Sequence, residues 1–111
     1  MPKSDTLEKI RTDTKEVFKP EEPAKYDVIF LNDDITPMEF VIRILKQIFN
    51  KTQEEAVQIT KYVHENGNGV AGTYIYEVAE QTGIETTLLA REEKYPLQVK
   101  VQNQKFLYFY L

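Results

Sequence analysis

Apolar residues along this chain change their spacing from segment to segment, and each change marks an element boundary. Tyr26-Asp27-Val28-Ile29-Phe30-Leu31 is short and rich in β-formers, and the turn-favouring Asn32-Asp33-Asp34 follows, so a strand is predicted that ends in a polar loop. Thr36-Pro37-Met38-Glu39 has a capping Thr, a Pro at the first helical position and a Glu three residues after the cap, which predicts a helix from Pro37. Phe40, Val41, Ile44, Leu45, Ile48 and Phe49 then form one apolar face to about Phe49. Thr52-Gln53-Glu54-Glu55 repeats the capping box, Ala56, Ile59 and Val63 carry the stripe of a second helix, and Gly67 stops it. The two helices form a hairpin.

Gly69-Val70-Ala71-Gly72-Thr73-Tyr74 is weakened as a strand by its glycines, yet its length and flanks favour a short strand. A third helix is predicted from about Ile75 to Glu93, where Gly83 allows a bend, and Pro96 ends it. Leu97, Val99 and Val101 alternate with Gln98, Lys100 and Gln102, the period-2 pattern of a strand with one wet face. The resulting order is β-α-α-β-α-β. It predicts an α+β fold in which three helices cover one face of a three-stranded antiparallel sheet.

The charge distribution divides the chain. Residues 1–25 hold six Lys or Arg, six Asp or Glu, and only Met1, Leu7, Ile10, Val17, Phe18 and Ala24 as apolar residues. Such a segment cannot bury enough apolar surface to offset its ordering entropy. Pro20 and Pro23 bracket Glu21-Glu22, the composition of a linker. A disordered N-terminal extension over 1–25 and a core domain over 26–104 are expected, and all of the net charge of −4 belongs to the core side. That sign disfavours a nucleic-acid partner. With no cysteine and one histidine, disulfides, thiolate chemistry and Cys-based metal sites are excluded, and neither a metal nor a cofactor is expected. Neither a membrane-length apolar run nor an apolar segment behind Met1-Pro2-Lys3-Ser4-Asp5 is found. No membrane association is expected, and the cytoplasm is the expected compartment.

Asn32, Asp33 and Asp34 leave the first strand together, while His64 sits in the last turn of the second helix. By themselves these residues permit turn chemistry with a solvated anionic patch, a histidine complementing a helix dipole, or a small hydrolytic site. A hydrolase needs a nucleophile or a convergent metal-ligand set, and the composition offers neither convincingly.

The chain as a whole resembles the ClpS family, adaptors that deliver N-degron substrates to the ClpA or ClpC AAA+ unfoldase. The resemblance runs from Tyr26 to Val101. It is carried by Asn32-Asp33-Asp34-Ile35-Thr36-Pro37-Met38-Glu39-Phe40-Val41, His64-x-x-Gly67, Gly72, Glu77-Val78-Ala79-Glu80, Ala90-Arg91-Glu92 and Pro96-Leu97. It implies the same β-α-α-β-α-β fold, shared with the C-terminal domain of the ribosomal stalk protein; a structural domain of that kind is the contrasting reading. It further implies a non-enzymatic role and, with it, either the cytoplasm or a plastid stroma as the compartment. Asn32, Asp33 and His64 match the positions that hold a substrate's free α-amino group, with Asp34 supporting the loop. Ile35, Thr36, Met38, Val41, Thr60, Val63 and Leu97 match the pocket for the first side chain, usually Phe, Leu, Tyr or Trp, and Met38 matches a gate against β-branched residues. Glu77 and Thr82 match unfoldase contacts, and the N-terminal extension matches a mobile tail that enters the unfoldase pore.

The chain departs from the family pattern in several places. Thr60 stands where many relatives carry a larger apolar residue, which predicts a wider, partly polar wall. Thr82 stands where many carry Lys. Phe106-Leu107-Tyr108-Phe109-Tyr110-Leu111, within an apolar tail over 105–111, is six consecutive apolar residues that could lengthen the last strand, cover an edge or promote aggregation.

Overall fold

The structure, a computed structural model, describes residues 23–105. Its elements are β1 (Lys25–Leu31), α1 (Met38–Gln47), α2 (Gln53–Asn66), β2 (Asn68–Ile75), α3 (Tyr76–Glu92) and β3 (Gln98–Asn103). The sheet order is β2-β1-β3 with both pairings antiparallel, so the most apolar strand lies in the middle. The expected α+β class and β-α-α-β-α-β order are those observed. The expected extension falls almost wholly outside the described residues, as do all six of the C-terminal apolar residues Phe106–Leu111.

Val28 and Phe30 point from β1 into the core, opposite Val101 and Val99 of β3. The helices close over that face: Phe49, just past α1, meets Phe30 edge-on at 5.4 Å, and a Cβ on Gly83 of α3 would lie 3.6 Å from both valines. That is ordinary contact, and α3 runs unbroken from Tyr76 to Glu92, so the glycine is not demanded by crowding. A register shift between Val28 and Ile29 leaves Ala71 as an extra residue on β2. This bulge buries Ala71 and Gly72 in succession, which is why β2 lacks clean alternation. On the other parity of β1, Asp27 is buried and accepts a hydrogen bond from its register partner's hydroxyl, Thr73 Oγ1, at 2.7 Å.

The two capping boxes read from sequence part company here. Around Thr52 both bonds form: Glu55 N–H donates to Thr52 Oγ1 at 3.1 Å and Thr52 N–H donates to Glu55 Oε1 at 2.9 Å. Around Thr36 neither forms. Pro37 is the cap residue rather than the first helical one, α1 starts at Met38, and no side chain caps it. The Thr36 hydroxyl is drawn instead to Asp33 Oδ2, because an ionised carboxylate outcompetes a neutral cap interaction.

Candidate functional site

The loop that leaves β1 is built around Asp33. Its Oδ1 accepts from Ile35 N–H at 2.8 Å and Thr36 N–H at 2.6 Å, and its Oδ2 accepts from Thr36 Oγ1 at 2.7 Å. This is the local backbone-capturing chemistry that Asp favours in turns. Partial burial acts to raise the Asp33 pKa, but the Thr36 and Ile35 hydrogen bonds and the positive charge of Arg91 together hold it below its ordinary value. Asp33 is therefore ionised at neutral pH.

The same loop is tied to the end of α2. Asn32 N–H donates to Gly67 O at 2.8 Å, while Gly67 N–H donates to Val63 O at 2.9 Å. Gly67 adopts φ 89°, a left-handed conformation costing a residue with a Cβ about 1–2 kcal/mol. That turn places Asn68 opposite Leu31 in the sheet. His64, one helical turn before Gly67, is thereby carried to the loop of Asn32 and Asp33.

A cavity of about 300 Å³ results, lined by Asn32, Asp33, Asp34, Thr36, Met38, Val41, Thr60, Val63 and His64. Val41, Thr60 and Val63 are buried and make its floor, whereas Asn32, Asp34, Met38 and His64 are exposed at its mouth. Thr60 tempers the expectation of a partly polar wall: its hydroxyl donates to Ala56 O at 2.7 Å, so its donor is satisfied within α2. Two residues expected in the pocket are not among those lining it. Ile35 is 67% exposed, carried outward by the Asp33 turn, and Leu97 is 2% exposed within the hydrophobic core. Glu77 and Thr82 lie on α3 and do not line the cavity; Glu77 is exposed, and Thr82 Oγ1 donates to Ala79 O at 3.0 Å. Among the described residues no cluster of His, Asp and Glu could hold a metal ion, and no helix is long and apolar enough to cross a membrane.

Arg91 is the residue whose part the sequence reading missed. Its Nη1 donates to the carbonyls of Tyr95 at 2.8 Å and Leu97 at 2.9 Å, shaping the turn between α3 and β3, while its charge reaches Asp33. A basic side chain in a final helical turn is a recognised partner for carbonyls just beyond it, and that was the available signal.

Together these features define a class: a small α+β domain with a compact cavity that is apolar at its floor and carboxylate, amide and imidazole at its mouth. The chain matches the family model described as "ATP-dependent Clp protease adaptor protein ClpS" over residues 21–100, and it belongs to that family. It is 47% identical over 85 residues to the ATP-dependent Clp protease adapter protein ClpS of Phenylobacterium zucineum, covering 77% of this chain and 78% of the relative. With the protein of the same name from Caulobacter vibrioides NA1000 it shares 46% identity over 85 residues, with the same coverage of each. A solved structure, Agrobacterium tumefaciens ClpS2 bound to L-phenylalaninamide, superposes with a TM-score of 0.72 at 31% identity, covering 75% of this chain and all of that one.

Proposed function

We propose that this Clp protease adaptor binds the free N-terminal amino group and bulky first side chain of N-degron substrates and delivers them to a ClpA- or ClpC-type AAA+ unfoldase. The carrying observation is that the adjacent Asn32 and Asp33 and the sequence-distant His64 line one cavity whose floor is Val41, Thr60 and Val63. A protonated amino terminus has three donors and one positive charge, and an amide oxygen, a carboxylate and a neutral imidazole nitrogen are suitable acceptors. Asp33 Oδ1 already takes two internal bonds and Oδ2 only one, so Oδ2 is the oxygen with capacity to receive the amine. The relative captured with L-phenylalaninamide, a phenylalanine with its amine free, supports the same chemistry.

The magnitudes agree with a transient hand-off. Charge-assisted hydrogen bonds contribute about 1.5–3 kcal/mol each, and burying a Phe or Leu side chain contributes about 1.5–3 kcal/mol. After the cost of ordering the peptide, this is compatible with binding near the micromolar range. In this reading Met38, 42% exposed at the mouth, screens β-branched side chains, and Asp34 supports the loop. Glu77 and Thr82 face the unfoldase, residues 1–25 serve as the delivery tail of a core over 26–104, and the protein is a cytoplasmic adaptor rather than an enzyme.

The decisive test is binding of a labelled peptide beginning with Phe or Leu beside its N-acetylated twin. Acetylation removes the charge and two of the three donors, so binding is expected to be abolished. Equal affinity for both peptides rejects the proposal.

A further inference from the structure

A second apolar depression lies away from the peptide cavity, on the open edge of the sheet. Glu80, Gly83, Ile84, Thr87 and Leu88 of α3 and Val99 and Val101 of β3 enclose about 290 Å³. Ile84 and Leu88, one helical turn apart, are 47% and 64% exposed on its outer wall, and glycine at 83 leaves its floor without a side chain. β3 is an edge strand, so nothing on its far side covers the depression within the described sheet. Exposed aliphatic side chains gathered around a hollow are a surface that gains by being covered.

The chain supplies a cover at the right place. Val99 and Val101 belong to the strand that ends at Asn103. There the extended path stops: Lys105 N–H donates to Asn103 Oδ1 at 2.9 Å, and Gln104 and Lys105 are helical, so β3 does not run straight on. Six uncharged apolar residues follow, four of them aromatic, Phe106-Leu107-Tyr108-Phe109-Tyr110-Leu111. Val101 lies about 7 Å and Val99 about 13 Å back from Asn103 along the strand, whereas six residues reach about 9 Å as a helix and about 20 Å extended. Extended, the hexamer is therefore long enough to return over the depression as far as Val99.

We propose that Phe106–Leu111 packs, within the same molecule, into the groove between α3 and β3, placing aromatic rings against Ile84, Leu88, Val99 and Val101. The hexamer lies beyond residues 21–100, which the family model matches, and the groove shares no lining residue with the peptide cavity. It does not depend on the proposed N-degron specificity.

The test is methyl NMR of the full chain and of a chain ending at Lys105, with sedimentation at several concentrations. Ring-current shifts on the Ile84, Leu88, Val99 and Val101 methyls are expected in the full monomer and lost on deletion, while the Val41 and Val63 methyls stay in place. Should the shortened chain fail to fold, the full-length Phe106→Ser/Phe109→Ser variant carries the same readout. Groove methyls that do not move on losing the tail overturn the proposal, and leave the groove for a partner protein. Shifts that grow with concentration alongside a dimer also overturn it, because the tail then occupies a second copy.

Discussion

Replacing Asp33 separates the loop-ordering role seen in the structure from the amine-binding role proposed for the same carboxylate. The side chain orders its own loop through three hydrogen bonds, at 2.8, 2.6 and 2.7 Å, and in the proposed function it also receives the substrate's ammonium. Asp33→Ala destroys both at once. It removes the partner of the exposed Ile35 amide, which water can replace, and of the part-buried Thr36 amide and hydroxyl, so a stability loss of about 1–2 kcal/mol accompanies any loss of binding. Asp33→Asn keeps an oxygen for both amides, and its Nδ2 can donate to the Thr36 hydroxyl, which accepts equally well. The loop then loses only the difference between charged and neutral hydrogen bonds, about 1 kcal/mol. The ammonium, however, loses the carboxylate it is proposed to contact and meets an amide donor, with only the exposed Asp34 left as a nearby negative charge. A weakening of about 2–3 kcal/mol is expected, a fall of roughly 30- to 150-fold in affinity. Fluorescence anisotropy with a Phe-initiated peptide, paired with urea melts of each variant, measures both effects. If Asp33→Asn binds like the parent while Asp33→Ala does not, Asp33 only shapes the loop and the amine sits elsewhere.

The remaining predictions follow the same elements. Because the folded-state pKa of Asp33 is depressed below its ordinary value of 3.8, its contribution to stability is fully present above that pH and is lost as pH falls through the folded value. The stability gap between parent and Asp33→Asn should hold steady from pH 7 to about 5 and close below about pH 4; a gap unchanged at pH 2 contradicts the hydrogen-bonding account. Thr60→Met should fill the cavity floor and narrow the accepted first residues, and Met38→Ala should admit Ile and Val; unchanged peptide rankings in both reject the assignment of the walls. Gly69→Ala sets a Cβ 2.8 Å from Val63 Cγ2 and 3.1 Å from Tyr62 Cδ1. This overpacking, about 1–3 kcal/mol, exceeds the about 0.5–1 kcal/mol gained by removing a strand glycine, so both melting temperature and peptide affinity should fall. A variant as stable as the parent shows that Val63 yields freely.

What the sequence determined by itself was local. Helical periodicity, the Thr52–Glu55 capping box and the Gly67 stop are satisfied within one or two turns of chain, and they reappear as α1, α2 and their ends. So too the alternation of Val99 and Val101 became β3. The resemblance also named Asn32, Asp33, Asp34, Thr36, Met38, Val41, Thr60, Val63 and His64, and these residues line one cavity. Tertiary structure decided the rest, because it depends on groups that compete across the chain. Asp33 captured the Thr36 hydroxyl that a local pattern assigned to a helix cap. The bulge at Ala71 broke the alternation that would have announced β2. Leu97 went to the core and Ile35, in the Asp33 turn, to solvent, a difference that hydropathy alone does not make. Above all, the meeting of His64 with Asn32 and Asp33 is marked by one backbone hydrogen bond, Asn32 to Gly67. No side-chain pattern encodes that bond: it exists because β1 and β2 pair in this register, and the entropy of closing so long a loop is overcome only by the whole sheet and core together.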